Sequence, residues 1–411
     1  MYPAPRRGRL DRMPATAPNP TDQHPAPAFL PALDGLRAAA AFGVLLTHVA
    51  FQTGATSEPL FGRVLGRFDL AVAVFFGLSG FLLWRPHAAA ARGAAAAPTT
   101  VRYLLHRAAR ILPAYWTVVF AAMLLVPHAG TGLRVWLANL GLVQVFAPLT
   151  LTEGLTQMWS LSVEVAFYLL LPVCAVALRR LRGPRASRRI PVIATAALLS
   201  FGWGFIPVPT PDAIHSDNWL PGYLPWFAVG MLLAEAVCDP PPALVRLARR
   251  RMLMATVGIG ALLLAATDLA GPPGLSHPHP WQYALKIGFG ATIAFALLAP
   301  PVLDGRAHPW LAAPPARALG RWSYGVFLWH LVVLSMVFPV FGVLPFSGSF
   351  GFVLVVTVVL TVPVAAASFA LVEEPVRRAV RDRERSRGAR GNASHGSAAA
   401  PTATTAISAG S

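Results

Sequence analysis

Residues 350–372 read FGFVLVVTVVLTVPVAAASFALV, an apolar run of 23 residues with no charged side chain. An α-helix needs about 20 apolar residues to cross the roughly 30 Å of hydrocarbon in a bilayer. Only 12% of the 411 residues are charged, against roughly 25% in a typical soluble domain. The sequence therefore predicts an all-α protein built from transmembrane helices.

Ten apolar segments have about the length of such a helix, which predicts a polytopic bundle of about ten spans. The segments are 36–51, 68–84, 111–127, 158–178, 190–206, 219–237, 252–270, 281–303, 322–341 and 350–372. The sixth is the least regular, because two prolines and Glu235 interrupt it. Residues 134–150 are also apolar, but polar residues recur along them, which favours an interfacial or re-entrant helix.

The basic residues predict the topology of the bundle. If the N-terminus is cytoplasmic and the ten segments alternate, thirty of the 34 basic residues fall on the cytoplasmic side. The exceptions are Arg63, Arg67, Arg134 and Lys286. Cytoplasmic loops of membrane proteins carry an excess of Lys and Arg. The pattern therefore predicts a multi-pass protein of the bacterial inner membrane with both termini in the cytoplasm.

Composition also divides the chain and excludes one class of partner. Residues 1–32 and 379–411 lack hydrophobic periodicity and are predicted to be disordered cytoplasmic arms around a membrane domain at 33–378. The net charge of +17 does not indicate nucleic-acid binding, because the arginines lie in short loops and not on one continuous face. Cys174 and Cys238 provide no disulfide framework.

Three ionisable residues lie deep within predicted spans, where charge is costly and function is the default hypothesis. His48 lies eleven residues after Arg37, about 16 Å further along a helix. His330 lies about 13 Å into its span, and Glu164 about 9 Å into another from the opposite face. At similar depths, these groups can pair and move protons. His330 could instead be a simple interhelical hydrogen-bonding residue.

Arg107 and Arg110 lie at the cytoplasmic start of the third span, three residues apart on one helix face. Two guanidinium groups in this arrangement suit a phosphorylated ligand. Ordinary positive flanking of a span explains the pair equally well. No spacing of histidines or cysteines indicates a metal site.

Six motifs occur in one order between residues 33 and 378, and together they resemble the acyltransferase 3 family of membrane proteins. They are Leu33-Asp34-Gly35-Leu36-Arg37 followed by His48, FFGLSGFL at 75–82, RAARILPAY at 107–115, WSLSVE at 159–164 with Phe167-Tyr168, Ser323-Tyr324 with Trp329-His330, and Glu373-Glu374-Pro375. Val165 departs from the family pattern, which often has a second acidic residue at this position.

The resemblance implies an enzyme that takes an acyl group, usually acetyl, from cytoplasmic acyl-CoA as co-substrate, with no bound cofactor or metal. The acceptor would be a hydroxyl of a carbohydrate, envelope polymer or natural product. His48 and Glu164 would be catalytic, and Arg37, Arg107 and Arg110 would bind the donor. The expected substrate-binding residues are Asp34, Ser79, Tyr115, Trp159, Ser160, Tyr168 and His330.

Two other classes share the predicted architecture. A secondary transporter or a lipid or glycan flippase would also have ten spans and buried ionisable groups, but would not require the Arg37–His48 spacing or the arginine pair. A membrane-embedded sensor or structural subunit is the third class. Consumption of acyl-CoA distinguishes the enzyme from both. The sequence does not indicate an oligomeric state.

Overall fold

The computed structural model of the protein describes residues 30–59, 61–127, 129–130, 132–272 and 278–397, and these contain helices but no β-strand. Most of the predicted N-terminal arm and residues 398–411 of the tail lie outside them. The helices of eight residues or more are α1 (Ala32–Gln52), α2 (Ala71–Ala91), α3 (Thr100–Leu125), α4 (Leu133–Leu140), α5 (Trp159–Ala177), α6 (Arg189–Ser200), α7 (Leu220–Cys238), α8 (Pro242–Arg249), α9 (Arg251–Ala265), α10 (Pro280–Leu303), α11 (Pro314–Phe341), α12 (Phe350–Ser368) and α13 (Glu374–Ser397).

Eight of the ten predicted spans are confirmed within the described residues. The helices α1, α2, α3, α5, α7, α10, α11 and α12 belong to segments that are long and apolar enough to cross a membrane. The predicted all-α polytopic bundle is therefore confirmed, and the chain is a multi-pass membrane protein. The described part of the chain thus holds eight helices of spanning length, two fewer than the sequence indicated.

The remaining two predicted spans form helices that are too short to cross a bilayer unaided. Helix α6 has 12 residues and α9 has 15, so at 1.5 Å per residue they measure about 18 and 22 Å. Beyond α6 the apolar run continues through Gly202 and Gly204, which disfavour helix. Beyond α9 the Thr267 side chain accepts a hydrogen bond from the amide of Leu269, which stabilises a turn in place of further helix.

Residues 134–150 do not form an eleventh span. They form only the short helix α4, followed by turns. The polar residues that interrupt this run fold it back on itself. The Asn139 amide donates to the carbonyl oxygens of Val135 and Thr150, at 2.9 and 2.8 Å. Gln144 donates to the carbonyl of Met158 at the start of α5.

Part of the predicted tail is described by the structure, and up to Ser397 it continues helix α13. Helix α13 contains seven arginines, and arginine favours helix formation. Glu374 accepts a hydrogen bond from Arg378 one turn later, which stabilises an isolated helical turn. Glu384 binds Arg102 of α3 through both carboxylate oxygens.

Close packing of α2 against α7 fixes the centre of the bundle. A β-carbon on Gly230 would lie 1.8 Å from the carbonyl oxygen of Gly77, so only glycine allows the two backbones to approach. Small residues bring membrane helices together in this way. Phe227 of α7 stacks between Phe76 of α2 and Phe167 of α5. This stack holds α5 beside α2, where their polar residues share a cavity.

Candidate active site

Seven of the twelve predicted site residues line one cavity of about 70 Å³ between α1, α2, α3, α5 and α11. We call it the arginine cavity. The seven residues are Arg37, Ser79, Arg107, Arg110, Ser160, Glu164 and Tyr168. The structure therefore brings the three predicted donor-binding arginines together, although they belong to two different helices.

The charges around the arginine cavity favour an anionic ligand. Three guanidinium groups line it, whereas Glu164 is the one carboxylate among its described lining residues. Glu164 accepts hydrogen bonds from Ser79 Oγ and from Tyr168 Oη, the second at 2.5 Å. The Nε of Arg107 is buried and has no hydrogen-bond partner within the described structure. A buried, unsatisfied donor of this kind is costly unless a ligand accepts from it.

A larger cavity of about 470 Å³ contains His48 and is called here the histidine cavity. Its other lining residues include Trp159 and Ser160 of α5 and aromatic side chains of α7 and α10. Loop residues 147–151 and 213–218 also contribute to its wall. Val72, Ser160 and Phe327 line both cavities, so the two lie on either side of a thin partition.

The hydrogen bonds of the two histidines define their tautomers. His48 Nδ1 lies 2.8 Å from the carbonyl oxygen of Val44, and His330 Nδ1 lies 2.8 Å from that of Phe327. A carbonyl oxygen can only accept, so each Nδ1 carries the proton. His330 Nε2 is then an acceptor, and it lies 3.2 Å from His48 Nδ1. This arrangement leaves a free lone pair on His48 Nε2.

The pairing of the buried ionisable groups differs from the sequence expectation. His48 pairs with His330, which is completely buried. Glu164 pairs instead with hydroxyl groups and lines the other cavity. Among the described residues, no hydrogen bond joins Glu164 to either histidine. Glu164 therefore lies on the side of the partition that carries the arginines.

The other predicted residues are divided between the cavities and their supports. Trp159 lines the histidine cavity. Asp34 pairs with Arg37 at 3.3 Å and so helps to hold that side chain in place. Tyr115 lines neither cavity, and its hydroxyl donates to the carbonyl of Asn139 at 2.5 Å. Tyr115 therefore supports the C-terminal end of α4.

Sequence reasoning missed an ion pair in the wall of the histidine cavity. Lys286 of α10 lies 2.7 Å from Asp69, and both line this cavity. The chain has one lysine, and it falls inside a predicted span. The rule that directed attention to His48 and Glu164, that intramembrane charge indicates function, would have identified Lys286 as well.

The site and the fold define a class of membrane protein. The sequence profile of the acyltransferase 3 domain family matches residues 30–368. The chain therefore belongs to this family, and the motif-based recognition is confirmed. The predicted enzyme class, acyltransferase, is confirmed at the level of the family.

Three relatives show the range of the family. The chain is 25% identical to the O-acetyltransferase OatA of Staphylococcus aureus, over 86% of this chain and 58% of that protein. It is 22% identical to the peptidoglycan O-acetyltransferase OatA of Listeria monocytogenes, over 85% of this chain and 56% of the relative. It is 28% identical to the acyltransferase MdmB of Streptomyces mycarofaciens, over 74% of this chain and 79% of the relative. The chain thus spans less than three fifths of the OatA proteins. No solved structure matches the chain.

Proposed function

We propose that this protein is an integral membrane O-acyltransferase. It moves an acyl group, in the first instance acetyl, from acyl-CoA to a hydroxyl of a carbohydrate or natural product. The observation that carries the proposal is the neighbouring pair of cavities. One is positively charged and suits an anionic donor, and the other contains an imidazole with a free Nε2.

In the proposed reaction the thioester carbonyl of the donor reaches the partition from the arginine cavity. The acceptor hydroxyl lies in the histidine cavity, where His48 Nε2 removes its proton as the oxygen attacks the carbonyl carbon. The carbon–sulfur bond then breaks, and His48 returns the proton to the departing thiolate. His330 accepts the Nδ1 proton of His48 in a hydrogen bond, which stabilises the positive charge on the imidazole during the transfer.

The proposed direction follows from the charge of the loops. The arginine-rich face is assigned to the cytoplasm of a bacterial inner membrane, where acyl-CoA is available. The histidine cavity is walled by loops on the opposite side of the partition. Its aromatic lining, including Trp159, Tyr223 and Tyr283, offers ring faces against which a sugar or polyketide can pack. The names of the relatives, which include a peptidoglycan O-acetyltransferase, favour a carbohydrate acceptor as the first candidate.

Radiolabelled transfer tests the proposal directly. We expect the purified protein in nanodiscs to move label from acetyl-CoA into a glycan or metabolite fraction and to release free coenzyme A. The same protein in proteoliposomes is then tested for solute uptake without acyl-CoA. Solute movement with no release of coenzyme A would identify a transporter and overturn the proposal.

Exchanging Arg107 and Arg110 for glutamine should mainly weaken use of the donor. Each hydrogen bond to a charged group contributes about 1.5–3 kcal/mol, so each substitution should raise the KM for acyl-CoA about tenfold or more. The turnover number should change less, because His48 lies in the other cavity. Arg102→Gln is the matched control on the same helix, since Arg102 is exposed and lines neither cavity. Equal KM values for all three variants would remove these arginines from the donor site.

A further inference from the structure

A third cavity, of about 180 Å³, lies at the arginine-rich end of the bundle and is called here the loop cavity. It is bounded by the ends of α2 and α5, the start of α3 and the connection into α6. Its polar lining residues are His87, Thr100, Tyr103, Arg179, Arg182 and Arg189. None of the described residues that line it is a carboxylate.

Arg189 is the buried cation of the loop cavity. It is 3% exposed and lies against the ring of Trp84, 4.8 Å from its centroid. Its Nε lies 2.8 Å from Glu235, and its Nη1 donates to the carbonyl of His87. Its Nη2 is buried and has no hydrogen-bond partner within the described residues. One guanidinium nitrogen is therefore available to a ligand in this cavity.

The charges near Arg189 do not cancel. Glu235 is fully buried and is shared between Arg189 and Arg92, the second at 2.6 Å. Two cations against one carboxylate leave a net positive charge beside the cavity. Arg179 and Arg182 add two exposed guanidinium groups that form no ion pair among the described residues. Guanidinium groups together with a hydroxyl such as that of Thr100 are groups that bind phosphate.

The loop cavity is adjacent to the arginine cavity along the same helices. Tyr103 lines the loop cavity, and its hydroxyl donates to the carbonyl of Tyr168, whose side chain lines the arginine cavity. Tyr103 lies four residues before Arg107 on α3, about 6 Å along the helix. Acyl-CoA has a thioester at one end and phosphate groups at the other, joined by the pantetheine arm. Two neighbouring cavities linked by Tyr103 and Tyr168 therefore offer separate places for the two ends of such a molecule.

We infer that the loop cavity binds phosphate groups, namely those at the nucleotide end of the acyl donor. The inference rests on the proposed function, because it names where part of its donor binds. Arg189 accounts for the buried contact and Arg179 and Arg182 for the exposed ones. The acyl end of the same molecule then lies in the arginine cavity, beside the partition.

Calorimetric binding of non-acylated coenzyme A to the full-length protein tests the inference without turnover. In nanodiscs of phosphatidylcholine, we expect the Arg179→Gln/Arg182→Gln variant to weaken binding about tenfold or more, because two charged contacts are lost. The matched control is Arg185→Gln/Arg188→Gln, which removes the same charge from exposed residues of the same loop that do not line the cavity. Pantetheine, which lacks the nucleotide, should bind both variants alike.

Two outcomes overturn the inference. Equal losses in the two double variants would indicate general surface charge and no specific site. The second outcome concerns an anionic lipid headgroup, the other source of phosphate. In nanodiscs of phosphatidylglycerol, the amount of lipid that stays bound is compared between the unchanged protein and the Arg179→Gln/Arg182→Gln variant. If the variant retains less lipid but binds coenzyme A with unchanged affinity, the cavity binds lipid and the donor assignment is wrong. Absence of acyl transfer with normal coenzyme A binding would instead count against the proposed function alone.

Discussion

Replacing His48 with alanine should abolish acyl transfer while leaving the protein folded and able to bind its donor. A positioned general base typically contributes a factor of about 10² to 10⁴ in rate. The free lone pair on His48 Nε2 is the group that the proposed reaction uses. The donor arginines line the other cavity, so affinity for coenzyme A should stay within about twofold. Single-turnover transfer of labelled acetyl and calorimetric binding measure the two effects separately.

The matched control is His106→Ala. His106 is also a helical histidine, but it pairs with Glu384 at 2.8 Å and lines none of the three cavities. Its removal should leave transfer unchanged. Near-normal transfer by the His48→Ala enzyme would show that another group removes the proton, and the proposed mechanism would be wrong.

Two substitutions of His330 distinguish a positioning role from simple packing. His330→Leu fills the buried space but removes one of the two acceptors of His48 Nδ1 and leaves only the carbonyl of Val44. It should lower kcat about tenfold while the KM for acyl-CoA remains unchanged, because one charge-assisted hydrogen bond is lost. His330→Gln keeps an acceptor oxygen and should restore part of the rate. A purely structural residue would show no such difference between two folded variants.

The depth of the buried groups could be predicted from the sequence, but their partners could not. A rise of 1.5 Å per residue places His48, Glu164 and His330 at comparable levels without knowledge of the fold. Whether two groups meet depends also on the rotation of each helix about its axis, which distant packing contacts determine. The glycine contacts between α2 and α7 and the aromatic stack beside them set that rotation. Glu164 therefore faces the arginines and not the histidines.

Two further features were not predicted from the sequence. They are the early ends of α6 and α9 and the partners of the buried carboxylate of α7. Hydropathy measures the length of an apolar run, whereas α6 and α9 end earlier, at glycines and at a local turn. Glu235 was evident in the sequence only as an interruption of an apolar segment. Its partners Arg92 and Arg189 lie 143 and 46 residues away, in predicted cytoplasmic loops where topology alone explains an arginine.

Replacing Glu235 with leucine should produce the largest loss of stability of any single substitution considered for this protein. The carboxylate is fully buried and accepts from Trp84 Nε1 at 2.7 Å, besides binding Arg92 and Arg189. Removing one partner of a buried ion pair costs about 3–5 kcal/mol, because the remaining charge is left uncompensated. Thermal unfolding of the detergent-solubilised protein should report a strongly lowered Tm. Glu153→Gln, which changes an exposed carboxylate, should leave Tm unchanged.

The double variant Glu235→Leu/Arg189→Met distinguishes lost charge balance from lost packing. A buried ion pair replaced by apolar residues of similar volume is often as stable as the original. Arg92 remains at the end of α2, where its side chain is 16% exposed and is the less buried of the two arginines. The double variant should therefore recover most of the Tm lost in Glu235→Leu. Because it also lacks the buried guanidinium of the loop cavity, it should bind coenzyme A weakly although it is folded. A Tm no higher than that of the single variant would show that Glu235 acts through packing and not through its charge.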